Sequence, residues 1–275
     1  MTLQKKSKIS AALITGAAGF MGIQHSLALL ELNLTLVLID INYKKLVSTK
    51  KEILKIFPLA KIIIFKCNIC DEKSLKKINM KLNKDGVFVK ILVNNAAIDP
   101  KMGSIDSRGK SGSIEDYKIK DFRKEIDVNL VGAFICTKIF GQTMAQRNEG
   151  SIINIASDAG IVAPDQSIYH PKENIKALKH FKPASYSISK HGLIGMTKYI
   201  ATYWGHKKVR CNALALGAVK KNQSKFLIKN IEKRVPLGRL ANEAEYRKAV
   251  SFLASEDSSY MTGQVLVMDG GRTTW

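Results

Sequence analysis

Four cysteines, six prolines and two tryptophans are a thin supply of anchors for 275 residues. The cysteines are too few and too scattered for a disulfide framework. Cys67 and Cys70 form a CxxC, but no second pair or suitably spaced histidine completes a zinc site, and no metal is expected. They read as small hydrophobes in a reducing, cytoplasmic setting. No run of 18 apolar residues appears, so no membrane span is expected. Met1 to Ser10 is short, lysine-bearing and followed by a strand pattern, unlike a signal peptide. Acid is scarce as well: 23 Asp and Glu against 44 Lys and Arg give a net charge of +21. Only 8 of those 44 are Arg, whose planar fork nucleic-acid recognition favours, and the lysines spread without a dense tract. The basicity reads as solvated surface, with no nucleic-acid partner expected.

What is present is apolar patterning, with 45% hydrophobic residues, enough for a full core. Residues 9–14 read as a buried strand leading into Thr15-Gly16-Ala17-Ala18-Gly19-Phe20-Met21-Gly22, then a helix over 23–32. Strand, glycine turn and helix form the context in which such glycines imply dinucleotide binding. Gly16 permits a tight turn, Gly19 lets backbone approach a pyrophosphate, and Gly22 lets helix and strand pack closely. A second strand over 34–39 ends at Asp40, where a carboxylate can bind both ribose hydroxyls and repel a 2′-phosphate. NAD is therefore preferred. Lys44 and Lys45 lie near enough to admit NADP, and Asp40 can also serve as a helix N-cap.

Helix patterns over 45–57 and 74–83 flank a third strand over 61–66, with Asn68 and Ile69 at its carboxyl end, where adenine would lie. A fourth strand over 87–93 runs into Asn94-Asn95-Ala96-Ala97, whose small residues allow close approach of a ligand. A long helix over 121–147 carries Asn129 near its middle; asparagine suits that position poorly, which hints at a task for its side chain. A fifth strand over 150–156 ends at Ser157, and a sixth over 207–214 precedes Gly217 and Val219. An irregular lysine-rich segment, a turn at Pro236 to Arg239, a helix over 243–254 and a last strand over 264–267 complete the alternation. It predicts one Rossmann domain over 1–275, a doubly wound parallel sheet of about seven strands with helices on both faces. Insertions near 98–120 and 158–183 would overlie the ligand crevice at the carboxyl ends of the strands.

Tyr186 and Lys190, four apart on a predicted helix over 186–204, share one helix face. An ammonium beside a phenol favours the phenolate, which lets tyrosine do acid/base work.

In this order, the glycine turn, Asn94 to Ala97, Asn129, Ser157, Tyr186 with Lys190, and the tail Thr262 to Val265 with Asp269-Gly270-Gly271 resemble the short-chain dehydrogenase/reductase superfamily over almost the whole chain. The resemblance implies that Tyr186 exchanges the substrate's hydroxyl proton and Ser157 hydrogen-bonds the developing oxyanion. Lys190 would bind the nicotinamide ribose and lower the tyrosine pKa, and Asn129 would hold a water of the proton relay. Asn95, Ala96, Ala97, Gly217 and Val219 would join the glycine turn, with Phe20 and Met21, in holding the cofactor. Relatives pair the helices over 121–147 and 186–204 across a two-fold axis, which implies a homodimer or homotetramer.

Four departures stand out. Phe20 occupies the turn's fifth place, where the family usually has glycine, and Gly19 precedes it. After the sixth strand, Leu216-Gly217 with Lys220 and Lys221 replaces the usual Pro-Gly and threonine. Asn68 stands for the third-strand acid, and Ser157 and Tyr186 are farther apart than usual. The segments Lys182 to Tyr186 and Thr202 to Gly205 resemble oxidoreductases of bacterial surface-sugar biosynthesis, including flagellin-modifying nonulosonate pathways. His170, Lys172, Lys179, His180 and Lys182, with Pro171 and Pro183 limiting the backbone, would suit a sugar or sugar phosphate clamped by an insertion; a solvated basic loop is the other reading. The expected function is hydride transfer between nicotinamide and a secondary alcohol or ketone on a small-molecule substrate. The alternative is a catalytically idle dinucleotide-binding sensor.

Overall fold

The protein is described from a computed structural model covering residues 9–99, 113–169 and 181–275. Lys172 and Lys179, with His170, Pro171 and His180, lie outside the described residues. The chain opens with β1 (Ile9–Thr15), α1 (Phe20–Leu30), β2 (Thr35–Asp40), α2 (Tyr43–Ile56), β3 (Ile62–Lys66), α3 (Glu72–Lys84) and β4 (Val87–Asn94). A helical run, α4, spans Ile119–Arg147. It is followed by β5 (Gly150–Ser157), α5 (Ala184–Trp204), β6 (Val209–Leu216), α6 (Lys225–Glu232), α7 (Arg247–Ala254) and β7 (Val265–Met268).

The seven strands pair in the order β3-β2-β1-β4-β5-β6-β7, all parallel. The expected doubly wound sheet is borne out, and its order reverses between β1 and β4, which opens a crevice at their carboxyl ends. Strands covered on both faces read as continuous apolar runs, and alternate residues of β1 show the two faces. Ala12 and Ile14 pack with Leu27, Leu46, Ile53, Val250 and Leu253 from α1, α2 and α7. Ala11 and Leu13 pack with Leu75, Ile78, Phe140 and Ile200 from α3, α4 and α5. Full burial of a side chain such as Phe140 contributes about 2–3 kcal/mol.

Helix α4 contains π-helical stretches at Asp127–Val131 and Thr137–Gly141. The run is long and apolar enough to cross a membrane, yet 56% of its most apolar window is buried inside the protein, as a core helix requires. Some elements depart from the sequence reading. Helices α2 and α3 begin earlier because the polar residues Asn42 and Asp71 cap them, accepting from Lys45 N and Ser74 N. The N-cap is thus Asn42, not Asp40. The segment read as irregular forms α6, capped by Ser224.

Candidate active site

A cleft of about 1640 Å³ runs along the carboxyl ends of β1, β2, β4, β5 and β6. That exceeds the roughly 300–1,000 Å³ of a drug-sized ligand site and leaves room for a dinucleotide and a substrate.

At one end the glycine turn forms a cradle. Gly16 has φ +61°, and a Cβ there would come within 2.7 Å of Ala96 Cα. Only glycine opposite a small residue allows this approach. Thr15 Oγ1 accepts from Asn95 N and Ala96 N, each at 3.1 Å. Asn95 Nδ2 donates to Thr15 O and Gly16 O. Gly22 is buried off the cleft, where a Cβ would meet Ala17 O at 2.4 Å, so it packs the helix onto the turn. Gly19, Phe20 and Met21 line the cleft at the start of α1, whose first turn carries neither a side-chain cap nor an acidic residue. Such a helix end suits an anion, and the cradle fits a dinucleotide's diphosphate.

Asp40 lines the cleft as expected. Its Oδ2 accepts from Ala18 N at 3.0 Å and its Oδ1 from Asn42 N at 2.8 Å. It therefore also braces the turn, leaving its remaining lone pairs for a ribose. Asn68, Ile69, Ala97, Gly217 and Val219 also line the cleft; Asn68 Oδ1 accepts from Cys70 N. Cys67 and Cys136 are buried free thiols and Cys70 is half-buried. Burial pushes the Cys67 thiol up to about 11. Among the described residues no cluster could hold a metal ion.

At the other end β5 delivers Ser157, and the first turns of α5 deliver Tyr186 and Lys190. Lys190 Nζ donates to Ile155 O at 2.6 Å and lies 5.6 Å from the Tyr186 ring centre. Burial pulls the Lys190 ammonium down to about 8. The Tyr186 phenol is pushed up, first by burial and then by Asp99, while the Ser157 hydroxyl opposes the shift. Burial thus outweighs the lowering expected from Lys190. Ser157 Oγ donates to Asp158 Oδ1 at 2.8 Å and accepts from Ala159 N.

Asn129 is buried off the cleft, in the first π-helical stretch of α4. Its Oδ1 accepts from Ile98 N at 2.7 Å, and its Nδ2 donates to Ile98 O and Ser189 Oγ. It ties the loop after β4 to α5, which accounts for a polar residue at a core position.

Asp99 and Arg272 of the cleft escaped the sequence reading, as did the contacts of Lys182 and Lys221. Asp99 pairs with Lys182, whose ammonium lies 4.0 Å from the Tyr186 ring centre. Arg272, just past the glycine tail, pairs with Asp158 at 3.3 Å. Lys221 lies 4.3 Å from the Phe20 ring centre. Beneath α5, buried Glu125 accepts from the hydroxyls of Tyr117 and Ser185, which fixes the residue preceding Tyr186. Its one legible signal was an acid on a core-facing position of a helix.

Residues 16–273 match the family described as enoyl-(acyl carrier protein) reductase. The chain is 31% identical over 264 residues to the 3-oxoacyl-[acyl-carrier-protein] reductase FabG of Thermotoga maritima, covering 94% of this chain and 96% of that one. It is 28% identical to the cyclohexanol dehydrogenase of an Acinetobacter species, over 99% and 98% of the two chains. Among solved structures, a Brucella melitensis 3-oxoacyl-[acyl-carrier protein] reductase with bound NAD superposes with a TM-score of 0.79 at 26% identity, over 97% of this chain and 91% of that one. A Burkholderia cenocepacia gluconate 5-dehydrogenase in complex with NADP and tartrate shares the fold, with a TM-score of 0.80 at 23% identity over 98% and 96% of the chains. A match running from the glycine turn to the C-terminal tail establishes that the chain belongs to the short-chain dehydrogenase/reductase superfamily, whose members move a hydride between a nicotinamide dinucleotide and a CH–OH or ketone group.

Proposed function

We propose that the protein, acting as a single dinucleotide-binding domain, interconverts a secondary alcohol and a ketone on a sugar or sugar-phosphate derivative, preferring NAD(H). The observation carrying the catalytic reading is that Ser157, Tyr186 and Lys190 line one cleft beside the glycine cradle. An idle sensor would have no use for that convergence. The nicotinamide, when bound, supplies or accepts the hydride. Tyr186 holds or receives the proton at its phenolic oxygen. Ser157 commits its own proton to Asp158 and so offers lone pairs to a substrate alcohol; turned toward a ketone, the same O–H donates. Lys190, anchored on Ile155 O, places positive charge beside the dyad. Asn129 holds the loop and helix in register.

Lys182 and Arg272, paired with Asp99 and Asp158, give the reacting end a polar lining that supports a polar substrate. Relatives at 31% identity support a second reading, a 3-oxoacyl thioester. Turnover of NADH against keto-sugars, their phosphates, ring ketones and a 3-oxoacyl thioester separates the two. Reduction of the thioester alone would remove the sugar assignment.

Asp40 carries the NAD preference. Asp40→Ala is expected to weaken NADH about tenfold more than NADPH, the weight of charge-assisted bonds to two ribose hydroxyls. Fluorescence titration checks this, and a wild-type protein that binds NADPH more tightly than NADH would show that Lys44 and Lys45 dominate.

Assembly as a homodimer or homotetramer is supported by Val131 and Phe134 on α4 and by Ile188, Tyr199 and Tyr203 on α5, all exposed. Tyr199 and Tyr203 stack with ring centres 5.9 Å apart. Such a patch invites cover by a second copy. Sedimentation at micromolar concentration is expected to show a species of at least twice the 30.5 kDa chain, and a monomer would refute it.

A further inference from the structure

Two departures from the family pattern, Phe20 in the glycine turn and Lys221 after β6, touch each other: the Lys221 ammonium lies 4.3 Å from the Phe20 ring centre. Phe20 is the first residue of α1, at the end of the helix that faces the cradle. The root of Lys221 is fixed. Its N–H donates to Gln223 Oε1 at 2.6 Å, and Gln223 Nε2 donates back to Val219 O at 2.7 Å. The preceding residues are pinned to the loop before α7 through Lys220 N to Ala241 O and Ala241 N to Ala218 O. Lys221 lines the cleft, whereas Lys220 does not. Among the described residues no carboxylate pairs with Lys221.

We propose that Lys221 is a diphosphate-binding residue, its ammonium steered across the Phe20 ring to the negative charge that a nicotinamide dinucleotide places at the start of α1. The inference rests on the dinucleotide reading of the cleft and adds to it a cation that the glycine cradle does not supply. Backbone N–H groups and a helix dipole bring only partial charge to an anion. A full charge on a clamped loop adds a Coulombic term that falls with salt, because the group is exposed. The aromatic face serves as the rest position: it holds the ammonium near the site without a salt bridge that the ligand would have to break.

The test is direct titration of the full chain with NADH, NADPH, ADP-ribose and adenosine, at low and high ionic strength, for wild type, Lys221→Met and Lys221→Arg. Methionine keeps most of the length and an apolar face toward Phe20 but removes the charge. Lys221→Met is expected to weaken NADH and ADP-ribose about five- to tenfold at low salt, the effect of one partly solvated charge on a phosphate. The gap should close toward high salt, adenosine should bind as before, and Lys221→Arg should restore most of the loss. Affinities for NADH and ADP-ribose within about twofold of wild type at low salt would overturn the inference. So would an equal loss for adenosine, which would mark a damaged loop, or a loss confined to NADPH, which would place the charge on the 2′-phosphate. A wild-type chain that bound none of the dinucleotides would instead refute the cofactor reading itself.

Discussion

Tyr186→Phe is expected to abolish turnover while leaving NADH affinity nearly unchanged. The phenol is the group assigned to proton transfer, and such a group contributes about 10²–10⁴ to the rate. Phenylalanine keeps the ring, so the contact with the Lys182 ammonium at 4.0 Å persists and the pocket keeps its shape. Two described donors beside it are already committed. Ser157 is bonded to Asp158, and Lys190 donates to Ile155 O. Steady-state assays on any ketone that the wild type reduces, with fluorescence titration of NADH on both proteins, check the split. A variant retaining more than about a tenth of wild-type kcat would put less than about 1.4 kcal/mol of barrier on the phenol, and the assignment would fail. The pH profile offers a second reading. Burial holds Lys190 at about 8, so the charge beside the dyad is present below that pH and lost above it.

The sheet was legible because its signals are local. β1 and β4 are apolar runs that only a two-sided core accommodates, and Gly16 and Gly19 sit between a strand and a helix. The Tyr186–Lys190 spacing is likewise contained within one helix turn. What escaped depends on residues that are distant in sequence. Asp99 meets Lys182, Asp158 meets Arg272, and Phe20 meets Lys221 only once the sheet has formed. Helix α6 was hidden because its apolar residues are interleaved with Lys225, Lys229 and Asn230, and none of its residues is fully buried. Asn129 drew notice as a residue out of place, yet its partners, Ile98 and Ser189, belong to two other segments. Asp40 showed a third kind of gap. Its place at the strand end was legible, but not its bonds to Ala18 N and Asn42 N, which make it part of the turn it faces.

His25 should make the fold acid-labile well above the range in which carboxylates titrate. It sits on the buried side of α1 with no exposed surface, and neither ring nitrogen has a hydrogen-bond partner among the described residues. Burial pulls its pKa from 6.5 down to about 4, while Asn95 beside it opposes the shift. The sign follows from proton uptake. Below pH 6.5 the unfolded chain protonates this imidazole, while the folded chain refuses the proton until about pH 4, so stability falls as the pH falls through that window. The loss is about 2 kcal/mol by pH 5 and about 3 kcal/mol once the window is crossed. Glu245, held down to about 2 by Arg239 and the Asn242 backbone, loses its contribution only as the pH falls below its ordinary 4.5. Among the described groups with shifted pKa values, His25 is the one whose window spans pH 6.5 to 5. His25→Leu removes both unpaired nitrogens at similar volume, and its urea midpoint should stay nearly flat across that interval while the wild type's declines. Parallel declines in the two proteins would show that His25 is charged or solvated in the folded state, and that the close packing of α1 against the glycine turn is looser than its geometry indicates.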